Sequence, residues 1–182
     1  MKEKILDIAV EKINLYGLKK FTVDEIAAEL KISKKTIYKY FKSKDEIILE
    51  YFNAFISSDK ESIEQTLEGE GEFLEKLHDI VYSKHKYKLP IKLLNEAKLF
   101  YPKEWEKVNE LKEFKLKIMK EILEKASLEG KINPNINFAV LCKMLEEMKN
   151  TFVDYEFLTE NKLKSSEAIE EAFKIILYGI LK

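Results

Sequence analysis

The chain is predicted to be all-α, an N-terminal three-helix module followed by a larger helical domain, and three observations predict it. Apolar residues recur at three- and four-residue spacings through most of the length, the pattern of amphipathic helices. Helix breakers are scarce, three Pro and five Gly in 182 residues, and most of them fall where the apolar pattern is interrupted. Helix-start signals of the Ser/Thr-x-x-Glu type precede several of the periodic segments.

The first helix, near Lys2–Leu15, is expected to bury Ile5, Ile8, Ala9, Ile13 and Tyr16 and to stop at Gly17. Thr22 with Glu25 fits a capping box, in which hydroxyl and carboxylate each satisfy a free backbone N–H. Ile26, Ala27, Leu30, Ile32 and Ile37 are the apolar positions between the second and third helices, with Ala27 small where the two must cross. The sharp turn at Lys31 favours a residue with positive φ, and a lysine there costs about 1 kcal/mol relative to glycine. Ser33 can cap the third helix through its side-chain oxygen. Ser43 with Glu46 repeats the capping-box pattern and opens a fourth helix carrying Ile47, Ile48, Tyr51, Phe52 and Phe55 on one side.

Charge gives this segment a direction. Residues Thr22 to Asp45 read as a helix-turn-helix whose second helix presents Lys34, Lys35, Thr36, Tyr38 and Lys39, followed by Lys42 and Lys44. From Lys31 to Lys44 there are six lysines and no acid, in a chain whose net charge is −1 and whose remainder after Glu50 is acidic. A cationic face on a small rigid helix pair is what docking into the DNA major groove requires. A merely solvated hairpin explains neither that concentration of charge nor the capping serines on both sides of so short a helix. The basic residues number 32 and all are lysine. Phosphates and bases would therefore meet compact ammonium groups rather than the bidentate fork of arginine.

After a Glu-Gly-Glu-Gly-Glu break at 68–72, a helix with Phe73, Leu74, Leu77, Ile80 and Val81 is expected. A short helix follows Leu89-Pro90. A long one then runs from Pro102 to Glu129 with Trp105, Val108, Leu111, Phe114, Ile118 and Ile122 on its stripe, closed by Gly130. Beyond Asn133-Pro134-Asn135 come two final helices. The first carries Phe138, Leu141, Leu145, Met148, Phe152 and Tyr155; the second, opened by Ser165 or Ser166, carries Ile169, Ala172, Phe173, Ile176, Leu177 and Ile180.

Other chemistry is not signalled. His78 and His85 are seven residues apart on one helix, about 10 Å along its axis, too far to share a metal. Cys142, the single cysteine, sits on an apolar stripe and reads as a packed small hydrophobe. No phosphate loop, nucleophile set or Cys/His metal spacing is present, so no enzyme, metal or cofactor is expected. No segment reaches the ~20 consecutive apolar residues that span a bilayer, and a cytoplasmic protein is expected.

The run from Ile5 to Ile48 resembles the N-terminal domain of TetR (tetracycline-repressor-like) transcriptional regulators. The resemblance is carried by Tyr16-Gly17, by Thr22-Val23-Asp24-Glu25-Ile26-Ala27, by Ser33 through Phe41, and by Ser43-Lys44-Asp45-Glu46. It departs at Leu30-Lys31, where the family usually has Ala-Gly, and at Lys35, where Gly is frequent. The resemblance implies a DNA-binding domain over 1–46 and a ligand-binding and dimerisation domain over 47–182. It implies contacts to double-stranded operator DNA from Thr22, Ser33, Lys34, Lys35, Thr36, Tyr38, Lys39, Tyr40 and Lys44, with Tyr40 and Lys44 at phosphate-contacting positions. It further implies a homodimer, in which the last two helices pair with a second copy through Leu141, Leu145, Met148, Phe152, Ile169, Phe173, Ile176 and Ile180. A small apolar effector is expected in a pocket lined by Trp105, Phe114 and Tyr155. The function so implied is that of a ligand-responsive repressor at a palindromic operator. An activator or nucleoid-type binder of the same fold, and an interaction protein that has lost DNA binding, are the alternatives.

Overall fold

The computed structural model describes residues 1–82, 86–151 and 155–181, without the side chains of 91, 92, 149–151, 155, 165 and 166. The described residues form α1 (Lys2–Tyr16), α2 (Val23–Leu30), α3 (Lys34–Ile37), α4 (Lys44–Glu68) and α5 (Phe73–Val81). These are followed by α6 (Ile91–Phe100), α7 (Pro102–Leu128), α8 (Phe138–Thr151), α9 (Tyr155–Glu160) and α10 (Ser165–Ile180). Among these residues the extended backbone pairing is a single antiparallel bridge between Ile132 and Leu181. The fold class is therefore all-α, with the helix-turn-helix at the N-terminus.

Contacts divide the chain into two units, Met1–Gln65 with Ser83–Leu111, and Thr66–Tyr82 with Lys112–Lys182. This is not the linear division after residue 46 that the sequence suggests. Most of α4, all of α6 and the start of α7 belong with the N-terminal helices, because their apolar faces complete one core. Ile5, Ala9, Ile13, Phe21, Ile26, Ile37, Ile47 and Phe52 are buried together with Leu93, Ala97, Tyr101 and Val108. Three short helices alone bury too little surface to be stable; the later segments supply the missing apolar area.

α1 buries Leu6 and Val10 alongside Ile5, Ala9 and Ile13, while Ile8 is half-buried and Tyr16 is exposed. The expected burial of Tyr16 fails because α1 ends there, and Gly17 with φ +91° turns the chain away. The other unit has its own core, with Leu77, Ile80, Leu116, Met119, Leu123, Ile132 and Phe173 among its buried residues. Here α7 presents a different face from the one expected: Leu116, Met119, Leu123 and Ala126 are buried, whereas Phe114 is 39% exposed and Ile118 and Ile122 are half-buried. Two apolar stripes lie side by side on this helix, and only tertiary packing selects between them. The segment expected as one helix through Tyr155 is helical to Thr151 as α8 and again from Tyr155 as α9, with 152–154 outside the described residues.

Candidate nucleic-acid interface

The reading head is built by local chemistry. Thr22 opens α2 with a complete capping box: its N–H donates to Glu25 Oε2 at 2.7 Å, and its Oγ1 accepts from the Glu25 N–H at 3.3 Å. α2 closes on Lys31 in the left-handed region, φ 53° and ψ 41°. The Lys31 N–H donates to the Ala28 carbonyl at 3.2 Å and the Ile32 N–H to Ala27 at 3.0 Å, the paired bonds of a Schellman closure. That closure is what makes the turn tight enough to lay α3 across α2, with Ile37 buried against Ile26 and Ala27 in the same core. Lys31→Gly is expected to stabilise the fold by about 0.5–1 kcal/mol, since glycine adopts this conformation without a Cβ penalty; a chemical-denaturation midpoint measures it.

Ser33 caps α3 by accepting from the Thr36 N–H at 3.1 Å, and the two hydroxyls are themselves hydrogen-bonded at 2.9 Å. α3 proper is four residues long, and the turn continues through Tyr40 N–H to the Ile37 carbonyl and Phe41 N–H to the same acceptor. Phe41 is buried and anchors the end of this turn. Ser43 Oγ accepts from the Glu46 N–H at 3.1 Å, but the Glu46 carboxylate takes the N–H of Lys42, one residue earlier than a standard capping box would have it.

These caps leave a surface that reads Lys34, Lys35, Tyr38, Lys39, Tyr40 and Lys42, all exposed, with Thr36 half-buried between them. Their electrostatic states differ. The Lys34 ammonium is 2.7 Å from Asp24 of α2, which pushes its pKa up and screens its charge. Among the described residues, Lys35, Lys39 and Lys42 have no ion-pair partner. The Lys44 ammonium donates to the Lys19 carbonyl at 2.6 Å and lies 4.4 Å from the centre of the Phe21 ring. Burial, with Lys19 nearby, pushes its pKa down. It thus ties α4 to the α1–α2 turn rather than standing free for phosphate. Local spacing could not have shown the engagement of either lysine.

The expected effector-site residues are divided between the two units. Trp105 is half-buried against the core of the N-terminal unit, Phe114 lies on the other unit and is partly exposed, and the Tyr155 side chain lies outside the described residues. Trp105→Ala is accordingly expected to lower stability, at the low end of the ~3–5 kcal/mol of a large core truncation, with a matching fall in melting temperature. A cavity of about 360 Å³ instead opens in the C-terminal unit. Leu67, Phe73, Ile118, Ile122 and Ala126 form its apolar walls, and Lys76, Lys125, Lys131, Glu72, Glu121 and Glu129 ring it with charge. Lys131 bridges Glu72 at 3.2 Å and Glu129 at 3.0 Å across this rim. The half-exposed stripe of Ile118 and Ile122 was the sequence signal that could have found it.

Of the expected dimer seam, Leu141, Leu145, Met148, Phe173, Ile176 and Ile180 are buried within the single chain and Ile169 is half-buried; Phe152 lies outside the described residues. What α8 and α10 leave exposed is a neighbouring apolar face with Val140 and Met144 on one helix and Ile175 and Tyr178 on the other. Between them runs a groove of about 300 Å³ that also includes Ile136 and Gly179. Cys142 is half-buried and burial pushes its thiol pKa up, the opposite of a reactive thiolate. His78 is exposed beside Asp79, and His85 lies outside the described residues. Among the described residues no three His, Cys, Asp or Glu side chains are grouped to hold a metal, and no helix is long and apolar enough to cross a membrane.

A capped helix-turn-helix with a lysine- and tyrosine-bearing outer face defines a DNA-binding transcriptional regulator of the helix-turn-helix class. Residues 5–51 match the family described as bacterial regulatory proteins, tetR family. The match runs from α1 into α4, so it is the head of the chain that is similar to this family. Over more of its length it is similar to the uncharacterized HTH-type transcriptional regulator YvaF of Bacillus subtilis, 26% identical over 163 residues that cover 88% of this chain and 85% of that protein. It is also similar to the fatty acid metabolism regulator protein of the same organism, 28% identical over 148 residues, 78% of this chain and 76% of the relative. In fold it matches a transcriptional regulator of Saccharomonospora viridis solved in complex with choline, with a TM-score of 0.75 at 16% identity over 100% of this chain and 97% of the other.

Proposed function

We propose that this protein is an effector-responsive repressor that binds a palindromic operator as a homodimer. The observation that carries the reading is the pairing of one small cationic head per chain with an unpartnered apolar face on α8 and α10. A single head reads few base pairs; a two-fold dimer would present two heads to half-sites one helical turn apart, about 34 Å, or a multiple of it. An effector that favours a different separation of the heads would shift the population off DNA.

The cavity in the C-terminal unit supports the sensing half of the reading. Its volume lies at the lower end of the ~300–1,000 Å³ of small-molecule sites, and an apolar interior with a charged rim suits a small, largely apolar molecule with one polar end. One relative is named a fatty acid metabolism regulator and one structural neighbour was solved in complex with choline; neither name identifies an effector for this chain. The test is selection of bound sequences from a random duplex pool, followed by footprinting. Enrichment of an inverted repeat protected on both half-sites is the expected result. Enrichment of single half-sites, or of no sequence at all, overturns the dimeric operator reading.

A further inference from the structure

We propose that Glu96, on α6, is a positioning residue for DNA recognition: it holds the α1–α2 turn of the reading head by accepting the Leu18 N–H. The two residues are 78 positions apart in sequence and lie in one compact unit, with Glu96 Oε2 2.8 Å from the Leu18 nitrogen. Leu18 is fully buried, and its N–H follows Gly17, whose φ of +91° takes the chain out of helical register, so the N–H is aimed away from the carbonyls at the end of α1 and at Glu96 instead. A buried N–H without an acceptor is costly, so the carboxylate answers a need that the helix end creates.

Gly17 shows how closely the carboxylate approaches. Its φ of +91° ends α1 in a conformation that favours glycine, and a Cβ placed there would run into the Glu96 carboxylate, with Oε1 the nearest atom and Oε2 at 3.0 Å. The backbone thus favours glycine here, and a side chain at this position would have to displace the Glu96 carboxylate from its place. The last turn of α6 and the residue after it continue the contact. The Lys19 ammonium sits 4.7 Å from the Phe100 ring centre, and Tyr101 donates its hydroxyl to Asp45 Oδ1 at 2.7 Å. Asp45 opens α4 beside Lys44, whose ammonium is held by the Lys19 carbonyl. Helix α6 therefore fixes both ends of one small circuit: the turn that feeds α2, and the start of the helix that follows α3.

The hydrogen bond of Glu96 goes to Leu18 in the α1–α2 turn and not to α3. Its effect falls on the angle at which α2 and α3 leave α1. Sequence-specific contacts need that angle, whereas non-specific attraction to phosphate needs only the lysines. Loss of Glu96 is expected to lower specific affinity and spare non-specific affinity, a split that simple destabilisation would not produce.

The experiment compares wild type, Glu96→Ala and Glu96→Gln on the duplex selected by the wild-type protein and on a scrambled duplex of equal length, with melting curves for each. It rests on the reading of the protein as an operator-specific regulator, and that reading is judged on the wild type alone. Glu96→Ala is expected to melt cooperatively and to lose about tenfold in specific affinity, the scale of one hydrogen bond, with scrambled-duplex affinity unchanged or raised. Glu96→Gln, whose amide oxygen can still accept the Leu18 N–H, is expected to restore most of the loss. Unchanged specific affinity in Glu96→Ala, a Gln variant no better than Ala, or parallel loss on both duplexes with the melting temperature each overturns the proposal. Hydrogen exchange at the Leu18 amide gives a reading without DNA. Exchange should accelerate there in Glu96→Ala ahead of the rest of the core, and an unaltered rate refutes the clamp even if no operator is found.

Discussion

Ile175→Glu is expected to leave the chain folded, to make it monomeric at micromolar concentration, and to abolish binding to a two-half-site operator. Ile175 is 66% exposed on the outer face of α10, one turn from Gly179, where a Cβ would meet nothing within 4 Å. A carboxylate at that position is solvated in the single chain and costs the fold little. In a two-fold interface the same substitution occurs twice, and each charge enters an apolar groove without a partner, a cost of several kcal/mol. Operator binding should fall further than the dimer constant alone suggests, because tethering two heads raises avidity by ~10²–10⁴ and a monomer has none of that gain. Phe173→Glu is the contrasting variant. Phe173 is 2% exposed and packs edge-on to Tyr82, so its substitution should unfold the C-terminal unit rather than separate subunits. Sedimentation velocity beside a melting curve distinguishes the two, and an Ile175→Glu protein that remains dimeric places the interface on another face.

The contrast between Ile175 and Phe173 also marks how far the sequence could be read. Helix ends in the head were legible because each is decided within four residues. Thr22 and Glu25 cap each other, Ser33 meets Thr36, and the turn at Lys31 follows from the chain having to reverse after Leu30. The cationic face was legible for the same reason, since a short helix between two caps leaves few ways to orient its side chains. Which of two apolar stripes a helix buries was not legible. α10 has Phe173, Ile176 and Ile180 facing inward and Ile175 and Tyr178 outward, and both sets have helical spacing. α7 shows the same ambiguity, with Leu116, Met119 and Leu123 buried in place of Phe114. Contacts between distant segments were out of reach altogether. Nothing near Leu18 announces Glu96, and nothing near Asp7 announces the Lys86 and Tyr87 side chains that donate to it. The packing of Trp105 was out of reach in the same way, because α6 and the start of α7 pack with the head.

The lysines of the head are expected to contribute unequally to DNA affinity, and Asp24→Asn is expected to strengthen binding to every duplex. Each phosphate neutralised by a lysine adds about −0.9 to the slope of log affinity against log salt. Lys35 and Lys39 are exposed on the outer face of the head. Removing either should flatten the slope by up to ~0.9 and weaken binding at low salt far more than at high salt. Lys34 starts from a different state, because its ammonium already faces the Asp24 carboxylate at 2.7 Å. Both groups are more than half exposed, so the pair adds little to stability, but a phosphate must displace or share that carboxylate to use the lysine. Lys34→Ala should therefore change the slope less than Lys35→Ala. Asp24→Asn removes the competing carboxylate and one negative charge from the head, so it should steepen the slope as Lys34 becomes a full phosphate partner. In the Asp24→Asn background, Lys34→Ala should recover the full slope effect that the wild-type background hides. Fluorescence anisotropy titrations between 50 and 200 mM salt, where several phosphate contacts are worth orders of magnitude in affinity, resolve these differences. Equal slope changes for Lys34→Ala and Lys35→Ala in both backgrounds would show that the Asp24 pair does not persist in solution and that Lys34 meets phosphate as freely as its neighbours.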